Sequence, residues 1–238
     1  MKLKTDKGLI YYEKVGTGDP LLFIHGNNES TGIFKDLYAI FEQYFEVFRM
    51  YTRGHGQSDL MVEELTFQRV AQDVICLLDE NKVEKIHIIG YSDGGNIGLY
   101  LAAHYPERVQ SLVTLGANYE PDGLIASTLE ELSLERQEIM LIPDEQERHR
   151  RLCVHDLMGK QLKLTKQDLR NIQAPTLVMA GEYDVIKRSQ TEDIAKLIGD
   201  ADLLFVPDGG HDFFIDMPTY LIDAVCLFYK KRKRVFNS

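Results

Sequence analysis

Residues 88–95 read Ile88-Ile89-Gly90-Tyr91-Ser92-Asp93-Gly94-Gly95, an apolar run that enters Gly-x-Ser-x-Gly and then a helical pattern. This spacing predicts a strand-to-helix turn that lifts a serine hydroxyl above the end of a parallel sheet. The chemistry needs that geometry. A serine is a weak nucleophile unless its oxygen is exposed, stands beside a base, and lies near backbone N–H groups that can hold an oxyanion. Glycines on either side let the chain turn without a Cβ clash. The pentapeptide alone also occurs in ordinary loops, so the rest of the chain has to carry the case.

Outward from this turn, short apolar runs recur and several stop at glycine: Leu21–Ile24 before His25-Gly26, Ile86–Ile89 before Gly90, Leu112–Leu115 before Gly116, and Leu177–Ala180 before Gly181. Such continuous runs predict strands buried on both faces. Helical patterns separate them. Phe67, Val70, Val74, Leu77 and Leu78 share one helical face. Ile97 to His104 predicts the helix after the turn, stopped before Pro106. Phe213 to Tyr229 predicts a last helix, with Pro218 leaving its start open. Alternating strands and helices predict an α/β fold with a mostly parallel, doubly wound sheet, in which ligands bind beyond the carboxyl ends of the strands. The interval from Gly116 to Thr176 breaks the rhythm. It is rich in Glu, Leu and Arg, and a structureless loop of that length is rare in a compact domain. The expected organisation is a core of residues 1–118 and 172–238 with a small amphipathic helical cap, 119–171, inserted before the last two strands. A plain crossover helix with a long loop is the alternative.

A serine nucleophile needs a histidine and a carboxylate at the same sheet edge. Gly181-Glu182-Tyr183-Asp184 follows one predicted strand, and Gly209-Gly210-His211-Asp212 follows the next, Asp202–Val206. The order Ser92, Asp184, His211 suits such a triad, with Asp122, Glu182 and Asp212 as competing carboxylates. Two backbone N–H groups are candidates for the oxyanion hole: that of Asp93, next after the serine, and that of Asn27 in the early loop, with Asn28 the alternative by a one-residue shift. Asn28, Tyr91 and Asp93 are candidate substrate contacts. His25, Arg53 and His55 are read as braces of nearby loops, and His149 and His155 as surface residues.

Taken together, His25-Gly26-Asn27-Asn28, Arg53-Gly54-His55-Gly56-Gln57-Ser58, Gly90-Tyr91-Ser92-Asp93-Gly94 and the Asp184 and His211 loops resemble the α/β-hydrolase superfamily. The resemblance spans nearly the whole chain and implies that fold. It leaves substrate open, because the superfamily holds esterases, lipases, amidases, C–C bond hydrolases and signalling proteins. Members that use an aspartate nucleophile are set aside by Ser92, and the absence of Trp removes halide sites built on indole N–H. Gly90 to Asn118 is similar to the valacyclovir hydrolase (biphenyl hydrolase-like) branch. That resemblance implies a role for Asp93 in holding a substrate α-ammonium. A carboxylate ~6 Å from a developing oxyanion opposes it by roughly 3 kcal/mol at an effective dielectric of ~20, unless a cation or solvent offsets it. The alternative is that Asp93 only complements the helix dipole.

Composition sets outer bounds. The chain has 238 residues, 44% apolar, with a net charge of −10. That size suits one domain, and the charge speaks against nucleic-acid binding. Cys76, Cys153 and Cys226 form no C-x-x-C pair, so packed thiols in a reducing compartment are expected. No leader and no membrane-length apolar run is read, and a cytoplasmic location with no stable membrane association is the expectation. The run Lys230-Lys231-Arg232-Lys233-Arg234 is read as a solvated helix end, with weak contact to an anionic surface as the alternative. No metal or organic cofactor is implied, and the expected partner is a small-molecule ester. The expected activity is serine-dependent cleavage of small carboxylic esters, with aminoacyl esters, thioesters and activated amides as further candidates. C–C bond hydrolysis and slow-turnover ligand sensing are the other readings.

Overall fold

A computed structural model describes residues 1–160 and 164–232. Among the described residues the strands are β1 (Lys2–Thr5), β2 (Gly8–Gly16), β3 (Asp19–Ile24), β4 (Phe45–Met50), β5 (Ile86–Tyr91), β6 (Val109–Leu115), β7 (Thr176–Gly181) and β8 (Ala201–Val206). They form one sheet in the order β1-β2-β4-β3-β5-β6-β7-β8. β1 and β2 pair antiparallel, as do β2 and β4, and every later pairing is parallel. The chain leaves β3 toward β4 on one side and returns to β5 on the other. This is the switch point where open α/β sheets make a crevice.

The helices are α1 (Lys35–Phe41), α2 (Phe67–Glu80), α3 (Asp93–His104), α4 (Ala126–Met140), α5 (Glu145–Lys160), α6 (Lys166–Asn171), α7 (Arg188–Leu197), α8 (Phe213–Asp216) and α9 (Pro218–Lys231). None is long and apolar enough to cross a membrane. β5 is buried along its whole length because both faces are covered. Its Ile86 and Ile88 join the core layer that includes Val70, Val74 and Leu77 of α2, whereas Ile89 and Tyr91 join the layer under Phe213, Phe214 and Val225. All five predicted core residues of α2 are buried, and Thr66 caps the helix by accepting the Arg69 N–H.

α3 starts four residues earlier than predicted. Gly94 and Gly95 are poor helix formers, yet here they allow a close approach. A Cβ on Gly94 would run into the Ile24 carbonyl, and one on Gly95 would lie 2.9 Å from the Ala117 Cβ. The C-terminal pattern splits into α8 and α9, because Pro218 begins α9 at a position where its missing N–H costs nothing.

α4, α5 and α6 occupy the interval between β6 and β7. α4 is less amphipathic than expected: Ile139 is buried, while Leu129 and Leu134 are exposed. α6, placed in the cap by the sequence, packs on α3 of the core, with Leu169 fully buried. Residues 161–163 of the proposed cap lie outside the described residues, as do Lys233 and Arg234 of the basic run. Lys231 and Arg232 pair with Asp202 and Asp200.

The loop after β4 is held by Arg53, which is fully buried. It gives two N–H bonds to the Asp73 carboxylate of α2, at 2.8 and 2.7 Å, and others to Thr5 Oγ1, Leu60 O and Lys7 O. This fulfils its expected bracing role. Cys76, Cys153 and Cys226 are free thiols.

Candidate active site

Ser92 stands between β5 and α3 with φ 52° and ψ −119°. A positive φ is costly for a residue with a side chain, and such strain persists only where the surroundings enforce it. Here the Ser92 N–H is fixed on the Leu115 carbonyl at 2.8 Å, and Ser92 O accepts the Asn96 N–H at 3.0 Å. The side chain is left pointing out of the turn. His211 Nε2 lies 3.1 Å from Ser92 Oγ, and His211 Nδ1 lies 2.7 Å from Asp184 Oδ1. Because ionised Asp184 can only accept, Nδ1 carries the proton and Nε2 faces the serine as an acceptor. Asp184 Oδ1 also accepts the Ile186 N–H at 2.9 Å, which fixes the carboxylate. Gly116, at φ +61°, clears room for the pair: a Cβ there would lie 2.7 Å from the His211 ring.

The competing carboxylates stand elsewhere. Asp122 and Asp212 are exposed, and Glu182 is bonded to the Asp208 N–H.

Asn27 and Asp93, the two candidate oxyanion residues, meet directly: Asn27 Nδ2 donates to Asp93 Oδ2 at 2.8 Å. The Asp93 N–H lies in the first turn of α3, where backbone donors have no intrahelical acceptor. Asn28 is displaced from both roles the sequence offered it. It occupies a left-handed turn (φ 55°), its N–H is given to His55 Nε2 at 3.0 Å, and its side chain does not line the cavity above Ser92.

That cavity holds about 180 Å³. Tyr91, Ser92, His211 and a polar corner of Asn27, Asp93 and Asn118 line it on the core side; Leu124, Leu132, Met158, Val185 and Ile186 form the apolar wall. Glu29 also lines it, and no Lys or Arg among the described residues does. The corner extends into the protein. Asn96 Nδ2 donates to Asp93 Oδ1 at 3.3 Å and to Asn118 Oδ1 at 3.0 Å. Burial pushes the Asp93 carboxyl up to about 6, against the opposing pull of the Asn27 and Asn96 N–H groups. Asn96 was not singled out from sequence, although its place three residues after Asp93 puts it on the same helical face. The apolar wall carried no sequence signal beyond the apolar residues themselves.

His25 and His55 brace the neighbouring loops as expected. Both are buried, and burial pushes their imidazoles down to about 3 and about 4. His149 is exposed as expected, but His155 is buried, with Nε2 2.9 Å from the Leu132 carbonyl, because α5 turns it against α4.

Similarity to known proteins agrees with this architecture. A sequence model of the alpha/beta hydrolase fold matches residues 19–170. The chain is 26% identical to a putative carbamate hydrolase, RutD, of Azorhizobium caulinodans, over 86% of this chain and 88% of that protein. It is 27% identical to the serine hydrolase BPHL of Homo sapiens, over 87% and 78%. The solved structure of Est816, described as an N-acyl homoserine lactone degrading enzyme, superposes with a TM-score of 0.82 at 25% identity, over 96% of this chain and all of that one.

Proposed function

We propose that this chain, which belongs to the alpha/beta hydrolase fold family and is a hydrolase, cleaves small carboxylic esters through an acyl-enzyme on Ser92. The observation that carries this reading is the unbroken chain Ser92 Oγ, His211 Nε2, His211 Nδ1, Asp184 Oδ1, with links of 3.1 and 2.7 Å. His211 takes the Ser92 proton as Oγ attacks the acyl carbon, and Asp184 holds the imidazole in the required tautomer and stabilises its charged form. The developing oxyanion is held by the backbone N–H groups of Asn27 and Asp93. His211 returns the proton to the leaving alcohol, and water repeats the sequence to release the acid. In this reading α4 and α5 act as a cap whose apolar residues receive the acyl or alcohol chain.

The charge of the cavity supports a neutral or cationic substrate. Glu29 and Asp93 line it, and no Lys or Arg among the described residues does. An anionic acid entering here would meet two carboxyl groups and no Lys or Arg among the described residues, a cost that is poorly compensated. This favours ester cleavage over C–C hydrolysis of acidic ring-cleavage products. Asp93 has one side-chain N–H on each oxygen, which leaves acceptor capacity for an ammonium group. We therefore place α-amino esters among the substrates, with Asp93 as the group that holds the cation.

Initial rates on paired short-chain neutral and α-amino esters, with Ser92→Ala as control, test the proposal. Serine-dependent turnover with a preference for the amino ester is expected. Turnover that survives Ser92→Ala would remove the mechanism. Saturable binding without turnover would favour the ligand-sensing reading.

A further inference from the structure

The Asn27 side chain spends both of its N–H donors on structure. Nδ2 donates to Asp93 Oδ2 at 2.8 Å and to the Val154 carbonyl of α5 at 2.7 Å. These two acceptors belong to different bodies, the nucleophile helix α3 and a helix of the insertion. The first bond joins the two residues whose backbone N–H groups hold the oxyanion in the proposed mechanism. The second joins them to α5, which is itself docked on the core loops: Arg150 Nη1 donates to the Gly54 carbonyl at 2.9 Å, and Cys153 Sγ to that of Glu63 at 3.3 Å. Asn27 lies in the loop three residues beyond β3, and the Gly26 carbonyl of its own peptide is met by His25 Nδ1 at 2.8 Å and by the Glu29 N–H at 3.4 Å. A loop N–H that must stay aimed at a charge appearing only in the transition state needs an external constraint. The Asn27 side chain adds two.

We propose that the Asn27 side-chain amide is a positioning group that ties the two oxyanion donors to each other and to α5, so that the hole keeps its shape only while α5 is seated. This rests on the reading of Ser92 as the nucleophile. Substrate contacts on the α5 wall, such as Met158, then bear on the hole through one amide.

The test uses the full chain and two readouts. One is kcat and KM on a neutral short-chain ester. The other is the rate at which a fluorophosphonate modifies Ser92, a reaction that expels fluoride and builds negative charge on a phosphoryl oxygen in its transition state without requiring the natural substrate. Asn27→Ala keeps the backbone N–H. It is expected to lower kcat and the phosphonylation rate together by roughly 10- to 100-fold, with KM within about threefold. Asn27→Ser is the second variant if the alanine form folds poorly, and thermal unfolding is followed for each. Arg150→Ala loosens the α5 seat away from the site. It is expected to slow phosphonylation by roughly three- to tenfold in the wild type and not further in Asn27→Ala, because coupled contacts are non-additive. A folded Asn27→Ala that reacts as fast as the wild type overturns the positioning role. An Arg150→Ala effect of equal size in both backgrounds overturns the link to α5. A wild type that the probe leaves unmodified at Ser92 instead overturns the nucleophile reading, and the inference with it.

Discussion

Three histidines stand at the same edge of the sheet and meet opposite fates. His25 follows β3 and His55 sits in the loop after β4; both are buried, and their rings pack at 4.8 Å. His211 follows β8, and its side chain keeps about 20% of its exposure. The Thr52 N–H donates to His25 Nε2 at 3.1 Å and the Asn28 N–H to His55 Nε2 at 3.0 Å, while each Nδ1 faces a carbonyl, that of Gly26 and that of Arg53. Protonating either ring would cost a backbone hydrogen bond and bury a charge. His211 spends only Nδ1 on the protein framework, with a carboxylate behind it, and presents Nε2 to Ser92. Residue type and position at the sheet edge do not decide which histidine can move protons. The decision lies in whether its second nitrogen is already committed.

The largest expected effect separates the two regions directly. Ser92→Ala or His211→Ala should lower kcat/KM by roughly 10⁴-fold while leaving the thermal midpoint near that of the wild type. Loss of fold in either variant would break the contrast. Next is the pH dependence of stability. The folded pKa values of His25 and His55 lie below the unfolded value, so their contribution is complete above about 6.5 and is lost as pH falls toward about 4 and about 3. Asp93 has the opposite sign. Its folded pKa is raised to about 6, so ionising it costs roughly 3 kcal/mol once pH exceeds that value. Urea unfolding from pH 7 to 4 should therefore show a net loss of stability in the wild type and a larger one in Asp93→Asn. A stability that rises on acidification would mean that the two histidines do not dominate.

His25→Ala should cost about 2–4 kcal/mol, because it leaves the Thr52 N–H without its acceptor and opens a cavity. Denaturant midpoints measure it, and a loss of activity without loss of stability would move His25 into the catalytic region. The smallest effect sharpens the view of the polar corner. Asp93→Asn should lower kcat/KM for an α-amino ester by roughly tenfold or more relative to a neutral ester of equal size. Equal losses on both would leave Asp93 a structural neighbour of Ser92 only.

Much of this arrangement was legible in the residues. β3, β5, β6, β7 and β8 each coincide with a predicted run; the interior strands do so because covering both faces demands a largely apolar run, whereas β8, at the sheet edge, keeps Leu203 exposed. β4 was not legible: Glu46 and Arg49 interrupt it. Arg49 is tolerated there because it lies over the Tyr38 ring at 3.9 Å and pairs with Glu42, contacts from another element that no local pattern announces. β1 and β2 escaped for a related reason, since one side of their hairpin is solvated and rich in charge.

The sequence by itself determined the elbow, the order of Ser92, Asp184 and His211, and the mostly parallel sheet that brings them to one edge. These depend on local backbone demands: where glycine must allow a close approach, and where an apolar run must end. Only the tertiary structure decided that Asp184 rather than Asp122, Glu182 or Asp212 faces His211, that the Asn28 N–H belongs to His55, and that Asn27 joins Asp93 to α5. Those outcomes hang on hydrogen bonds spanning 27 to 127 positions in the chain. A side chain with several possible partners is assigned one by the packing of distant elements, and residue spacing carries no record of that choice.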